Sequence, residues 1–125
     1  PKMDYRATLD ALMTAQPGDE APAVILPWQL RKAYTGETIL GRGAFGCVVQ
    51  VRSNESDRTA AIKLVIPAKA QFSTRENRQL QREALSLDLF TQHRCPNAVN
   101  LAGAVFIGDD IAWFIMEMVD GVDLE

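Results

Sequence analysis

The chain has 125 residues, 47% of them hydrophobic and 23% charged, enough for one compact domain and without the polar bias of a disordered segment. With 16 acidic and 13 basic residues the net charge is −3, which argues against a nucleic-acid surface, since that needs clustered Lys and Arg. Two cysteines, Cys47 and Cys95, are too few for a disulfide framework, and His93 has no companions for a metal, so cytoplasm or another intracellular reducing compartment is expected. The longest apolar run, Ile111 to Val119, is about half a bilayer span and contains Glu117, so no membrane partner is expected. The chain opens at Pro1, so the lack of a targeting signal carries no weight.

Residues 4–15 place Tyr5, Leu9, Leu12 and Met13 at helical spacing, and the breaker cluster Gln16 to Pro22 follows, so a short amphipathic helix and a linker are expected. Pro27-Trp28 opens a second stretch in which Leu30 and Tyr34 can pack, with Thr35-Gly36-Glu37 expected to break it. From Thr38, the β-branched runs to Val51 and from Thr59 to Ile66, punctuated by glycines and by Ser53 to Asp57, read as three strands. The stretch Gln71 to Gln92, with Leu80, Leu87 and Phe90 recurring on one stripe, reads as a helix of about five turns. Cys95-Pro96-Asn97 stops it, and Val99 to Ile107 and Ile111 to Val119, joined by Gly108-Asp109-Asp110, read as a hairpin. The fold class expected is α+β: a five-stranded, mainly antiparallel sheet with one long helix on one face, preceded by a short helical extension.

Gly41-Arg42-Gly43-Ala44-Phe45-Gly46 has the spacing G-x-G-x-x-G. In a dinucleotide-binding fold the third glycine opens a helix, whereas here Cys47 to Val51 is strand-like; a Walker A loop needs Lys and Ser or Thr where Cys47-Val48 stands. Two readings remain, a plain hairpin turn and a strand-turn-strand whose backbone N–H groups approach phosphates. Alternation along Ala60 to Ile66 puts Ala61, Lys63 and Val65 on one face, and a lysine there needs either solvent or an anion. Glu83 shares the apolar stripe of the helix with Leu80, Leu87 and Phe90, so it projects toward the sheet and is the expected partner; Glu76, on nearly the same stripe, is the weaker candidate. Cys47 has no cation beside it in sequence that would make it a reactive thiol, His93 reads as an exposed helix end, and Trp28 and Trp113 read as packing aromatics.

These features, in this order, resemble the amino-terminal, ATP-binding lobe of the protein kinase superfamily over residues 38–125. Leu40-Gly41-x-Gly43-x-x-Gly46-x-Val48 resembles the kinase glycine-rich loop, Ala60-Ala61-Ile62-Lys63 resembles the V-A-I-K strand, Glu83 corresponds to the helix-C glutamate, and Phe114 to Leu124 looks like the last strand running into the hinge. A few additional residues, Thr91 to Arg94, separate the helix from Cys95-Pro96-Asn97. On this resemblance, residues 1–27 are an extension and linker, and residues 28–125 are the lobe. Lys63 and Glu83 would be the catalytic pair, with Lys63 on the α- and β-phosphates. Gly41, Gly43, Ala44, Phe45 and Gly46 would cover the phosphates, and Leu40, Val48 and Ala61 would sandwich the adenine. Met116 would be the gatekeeper, the backbone of Glu117 and Val119 would bind the adenine edge, and Asp123 would lie near the ribose.

The resemblance implies an enzyme that moves the γ-phosphoryl group of ATP to a protein Ser/Thr (or Tyr) hydroxyl, with Ser/Thr expected only because that class is larger. No H-R-D-x-x-x-x-N, D-F-G or A-P-E occurs in the chain, so Mg2+ would be held mainly by a second lobe lying beyond it, and the chain alone is expected to be inactive. The partners expected are ATP, the second lobe or a second copy meeting the open cleft and hinge, and a protein substrate. The alternative is a pseudokinase or regulatory module that binds nucleotide or a partner without transferring phosphate.

Overall fold

The computed structural model describes residues 6–43, 45–93 and 99–118. A helix α1 (Arg6–Thr14), a 3-10 turn (Ala23–Ile25) and a single-turn helix α2 (Trp28–Arg31) precede three strands, β1 (Tyr34–Gly43), β2 (Gly46–Ser53) and β3 (Thr59–Val65). The long helix α3 (Thr74–His93) and the strands β4 (Val99–Ile107) and β5 (Ala112–Met118) follow. The strands form one sheet in the order β1-β2-β3-β5-β4, with every neighbouring pair antiparallel. The α+β class, the five strands and the single long helix are those expected from the periodicities. Among the described residues no helix is long and apolar enough to cross a membrane.

The two faces of this sheet are built differently. On β3, Ala60, Ile62 and Leu64 are buried on one face, while Ala61, Lys63 and Val65 are only partly buried on the other. The buried side, here the back, belongs to the larger apolar cluster, which joins Val49, Val51, Ile62 and Leu64 of the sheet to Leu12, Ile25, Leu26 and Leu30 of the extension. Trp113 completes this face, stacked on Phe106 with ring centroids 4.4 Å apart. The front holds a smaller cluster, Leu80 of α3 on Ala112 and Phe114, with Phe72, Ala84 and Val65 packed against it.

The extension is therefore part of the core. Its buried stripe is Thr8, Leu12 and Ala15, whereas Met13, assigned to the packing face by spacing alone, is 63% exposed. Thr8 Oγ1 donates to the carbonyl of Val24 at 2.7 Å, which lets a polar side chain sit inside this interface. The expected linker runs alongside β1: Gly18 N donates to Ile39 O (2.8 Å), Ile39 N to Asp19 O (2.9 Å) and Ala21 N to Glu37 O (3.0 Å). This pairing covers what would otherwise be an unprotected edge strand.

Thr35-Gly36-Glu37 does not interrupt the chain as expected; it lies within β1, with a register shift between Gly36 and Thr38. The physical reason is the neighbour: a side chain at Gly36 would meet Ala21 Cβ at 3.2 Å, so the glycine admits the extension. Glu37 then accepts from Gln50 Nε2 (3.1 Å) and pairs with Arg52, and these two bonds, the first the larger, hold its carboxyl below the usual range. Trp28, expected to be a packing aromatic, is 41% exposed.

Helix α3 begins at Thr74, three residues later than the polar composition suggested. Ser73 and Glu76 make a reciprocal cap: Glu76 N donates to Ser73 Oγ (3.1 Å), and Ser73 N donates to Glu76 Oε1 (2.9 Å). The stop expected at Cys95-Pro96-Asn97 and the side chains of Leu87 and Phe90 lie outside the described residues. The turn after β4 closes with Gly108 N donating to Ile111 O at 2.9 Å, and Phe72 N reaches Asp109 O at 2.8 Å, tying the approach to α3 to the hairpin.

Candidate functional site

Register brings the front-face residues together. Gly41 opposes Val48 and Gly43 opposes Gly46 across β1 and β2; Val48 opposes Lys63 across β2 and β3; Ala61 opposes Met116 and Lys63 opposes Phe114 across β3 and β5. Directly opposed residues share a face. Val48, Ala61, Lys63 and Met116 therefore form one surface, and Leu80 and Ala84 of α3 pack beside it with Phe114 and Ala112. Leu40, at the β1 register shift, is 50% exposed beside it.

Lys63 Nζ donates to Glu83 Oε1, so the carboxylate chosen from the helix stripe is the one that meets the lysine. The two side chains keep 38% and 35% exposure, which screens the pair and makes its contribution to stability small. Its geometric effect is larger. An ammonium has three donors, and anchoring one of them on α3 points the group while leaving the others for a ligand.

Glu76 is not a competitor for Lys63, because its carboxylate is engaged elsewhere. Oε1 accepts from Ser73 N and Oε2 from Ala68 N (3.2 Å), and these backbone bonds, Ser73 first, hold its pKa below the ordinary carboxylate value. The signal that identifies it in the sequence is Ser-x-x-Glu ahead of a helical stripe, which assigns the acid to a cap before any search for an ion-pair partner begins.

The three loop glycines differ in what the fold asks of them. A side chain at Gly46 would bring its Cβ to 1.9 Å from the backbone oxygen of Leu64, so that residue must be glycine for β2 to pass β3. At Gly41 and Gly43 an added Cβ would meet nothing within 4 Å. Nothing in the described chain accounts for glycine at these two positions.

Between the turn, the end of β3 and the first turns of α3 lies a cavity of about 500 Å3, lined by Gly41, Gly43, Phe45, Val48, Lys63 and Glu83 among others. Phe45 is half exposed at its rim, and its carbonyl accepts from Ile66 N at 2.7 Å, fixing the turn over the end of β3. Glycine backbone with open space above it, beside an oriented ammonium, is arranged to receive an oxyanion-rich group.

Glu117 lies on β5 opposite Ala60, whereas Ala44, Val119 and Asp123 lie outside the described residues. Cys47 belongs to the back face, buried against α1, and that burial pushes its thiol pKa up, with nearby Arg42 opposing the effect. Its thiol thus points to α1, although the residue also borders the cavity. Among the described residues no group of three or more His, Cys, Asp or Glu is placed to hold a metal ion. A family model described as protein kinase domain matches residues 34–125. No curated protein matches the chain.

Proposed function

Because the chain belongs to the protein kinase domain family, we propose that its front face holds the nucleotide for transfer of the γ-phosphoryl group of ATP to a protein Ser/Thr (or Tyr) hydroxyl. The observation that carries this reading is the open space above Gly41 and Gly43 beside the Lys63–Glu83 pair. Two glycines that the fold itself does not require are accounted for if phosphate oxygens occupy that space.

In this reading Lys63 contacts the α- and β-phosphates, Glu83 keeps the ammonium aimed, and the backbone of the glycine turn covers the phosphates. Leu40, Val48 and Ala61 form the roof over the adenine, Met116 stands at the back of the cleft, and the backbone of Glu117 and Val119 meets the adenine edge, with Asp123 toward the ribose. Catalysis of this kind rests on positioning and charge stabilisation, which is what an anchored ammonium and fixed N–H groups supply. Among the described residues no group of three or more His, Cys, Asp or Glu is gathered to hold a metal ion, and the chain carries neither the motif for the catalytic base nor that for the metal ligands. In this reading a second lobe supplies those groups, and the half-open shelf of Leu40, Ala61 and Met116 is the surface that this lobe, or a second copy, closes.

The test is Lys63→Met in the protein that carries this chain together with its catalytic groups. Phosphoryl transfer is expected to fall by about a hundredfold or more. Stability should change by less than about 1 kcal/mol, because the pair is partly solvated. Unchanged turnover would show that another residue meets the phosphates.

A further inference from the structure

We propose that residues 6–21 act as a strut behind the glycine turn, with Arg42 as the positioning residue that connects the two. The proposal rests on the reading of the front face as the nucleotide site.

Arg42 sits between Gly41 and Gly43, where a cation would be expected to face phosphates. Its register partner, however, is Cys47, whose side chain is buried on the back face with Sγ 3.5 Å from Leu12 O. Opposed residues project to the same side, so Arg42 reaches backward. Its Nη1 donates to Ala15 O at 2.7 Å. Ala15 stands just past the end of α1, where carbonyls lack partners within the helix and a cation is favoured.

The backbone bonds from Gly18, Asp19 and Ala21 secure β1 only as far as Ile39. Beyond that point, the Arg42 side chain links the extension to the arm of β1 that carries Gly41 and Gly43. Arg42 also borders the cavity, but its guanidinium bond to Ala15 O aims the side chain at the back, so its part is to set where the glycine backbone stands.

Amide hydrogen exchange on the 125-residue chain tests this directly. Arg42→Ala is expected to speed exchange at Gly41, Gly43 and Gly46 roughly tenfold, with the other strands unchanged. Arg42→Lys, which keeps a cationic donor, should restore most of the protection. In a Cys95→Ser background, labelling of Cys47 by a thiol reagent should also quicken in Arg42→Ala, because α1 covers that thiol.

Turn amides that exchange as in the wild type would overturn the strut. So would uniform acceleration across all strands, which would make Arg42 a general stabiliser. Loss of MgATP affinity with normal exchange would also overturn it, since Arg42 would then be a direct phosphate ligand. Titrating MgATP into the protein that carries this chain together with its catalytic groups separates this proposal from the one on which it rests: absence of amide shifts at Gly41, Gly43 and Gly46 would sink the nucleotide reading, while the exchange result would still decide whether Arg42 holds the turn.

Discussion

Ile62 and Lys63 are neighbours on β3, yet they stand in the two environments that the sheet separates. Ile62 is fully buried on the back, in the apolar cluster that joins the sheet to the extension. Lys63 is on the front, where α3 covers one end and leaves the other open. Among the described residues Thr8 is the buried polar side chain of the back, its hydroxyl satisfied by Val24 O; the front carries the ion pair, the glycine turn and the cavity. The contrast teaches that stability and chemistry are assigned to opposite sides of the same strands. Packing from the extension is what frees the front face from having to be a sealed core.

The comparison breaks most visibly if the back face can be emptied without consequence. Ile62→Ala is expected to cost about 2–5 kcal/mol in denaturant unfolding, through lost transfer energy and the cavity left between β3 and the extension. A loss below about 1 kcal/mol would mean that the extension collapses onto the sheet freely and that the back is not a tightly packed core.

A finer test compares two glycines of one turn. Gly46→Ala forces a Cβ against Leu64 O and is expected to destabilise by about 1–3 kcal/mol. Gly43→Ala, with nothing nearby to strike, should leave stability within about 0.5 kcal/mol of wild type while weakening MgATP binding in the protein that carries this chain together with its catalytic groups. If both variants lost stability alike, glycine at position 43 would be a requirement of the fold, and the observation behind the proposed function would be gone.

The smallest effect concerns how α3 is anchored over the front. Glu76 has a carboxyl held below its ordinary value of 4.5 by the backbone donors of Ser73 and Ala68. A group whose folded pKa is depressed contributes stability that is present above its unfolded value and is lost as pH falls through the folded one. Glu76→Gln keeps an acceptor for the cap but cannot titrate, so its unfolding midpoint should decline less steeply than that of the wild type as pH drops below the ordinary carboxylate range. Parallel acid profiles for the two proteins would show that the cap carries no charge-dependent stability.

Much of this organisation could be read from local pattern. Period-two alternation marks the strands, and a glycine triplet between two β-branched runs marks the turn. The shared stripe of Leu80 and Glu83 aims one carboxylate at the sheet, because the residues that share a face follow from backbone geometry within a single element. Tertiary structure decided the rest, for a physical reason: which face is covered, and by what, depends on elements distant in the chain. Helical spacing could not choose between Met13 and Thr8 on α1, since only contact with the sheet and with Val24 makes the polar residue the buried one. Nor could turn propensity show that Thr35-Gly36-Glu37 remains in β1, where the missing side chain of Gly36 makes room for Ala21. Arg42 stands between two glycines in the sequence, but its guanidinium binds a carbonyl 27 residues earlier in the chain, a partner that only the folded back face supplies.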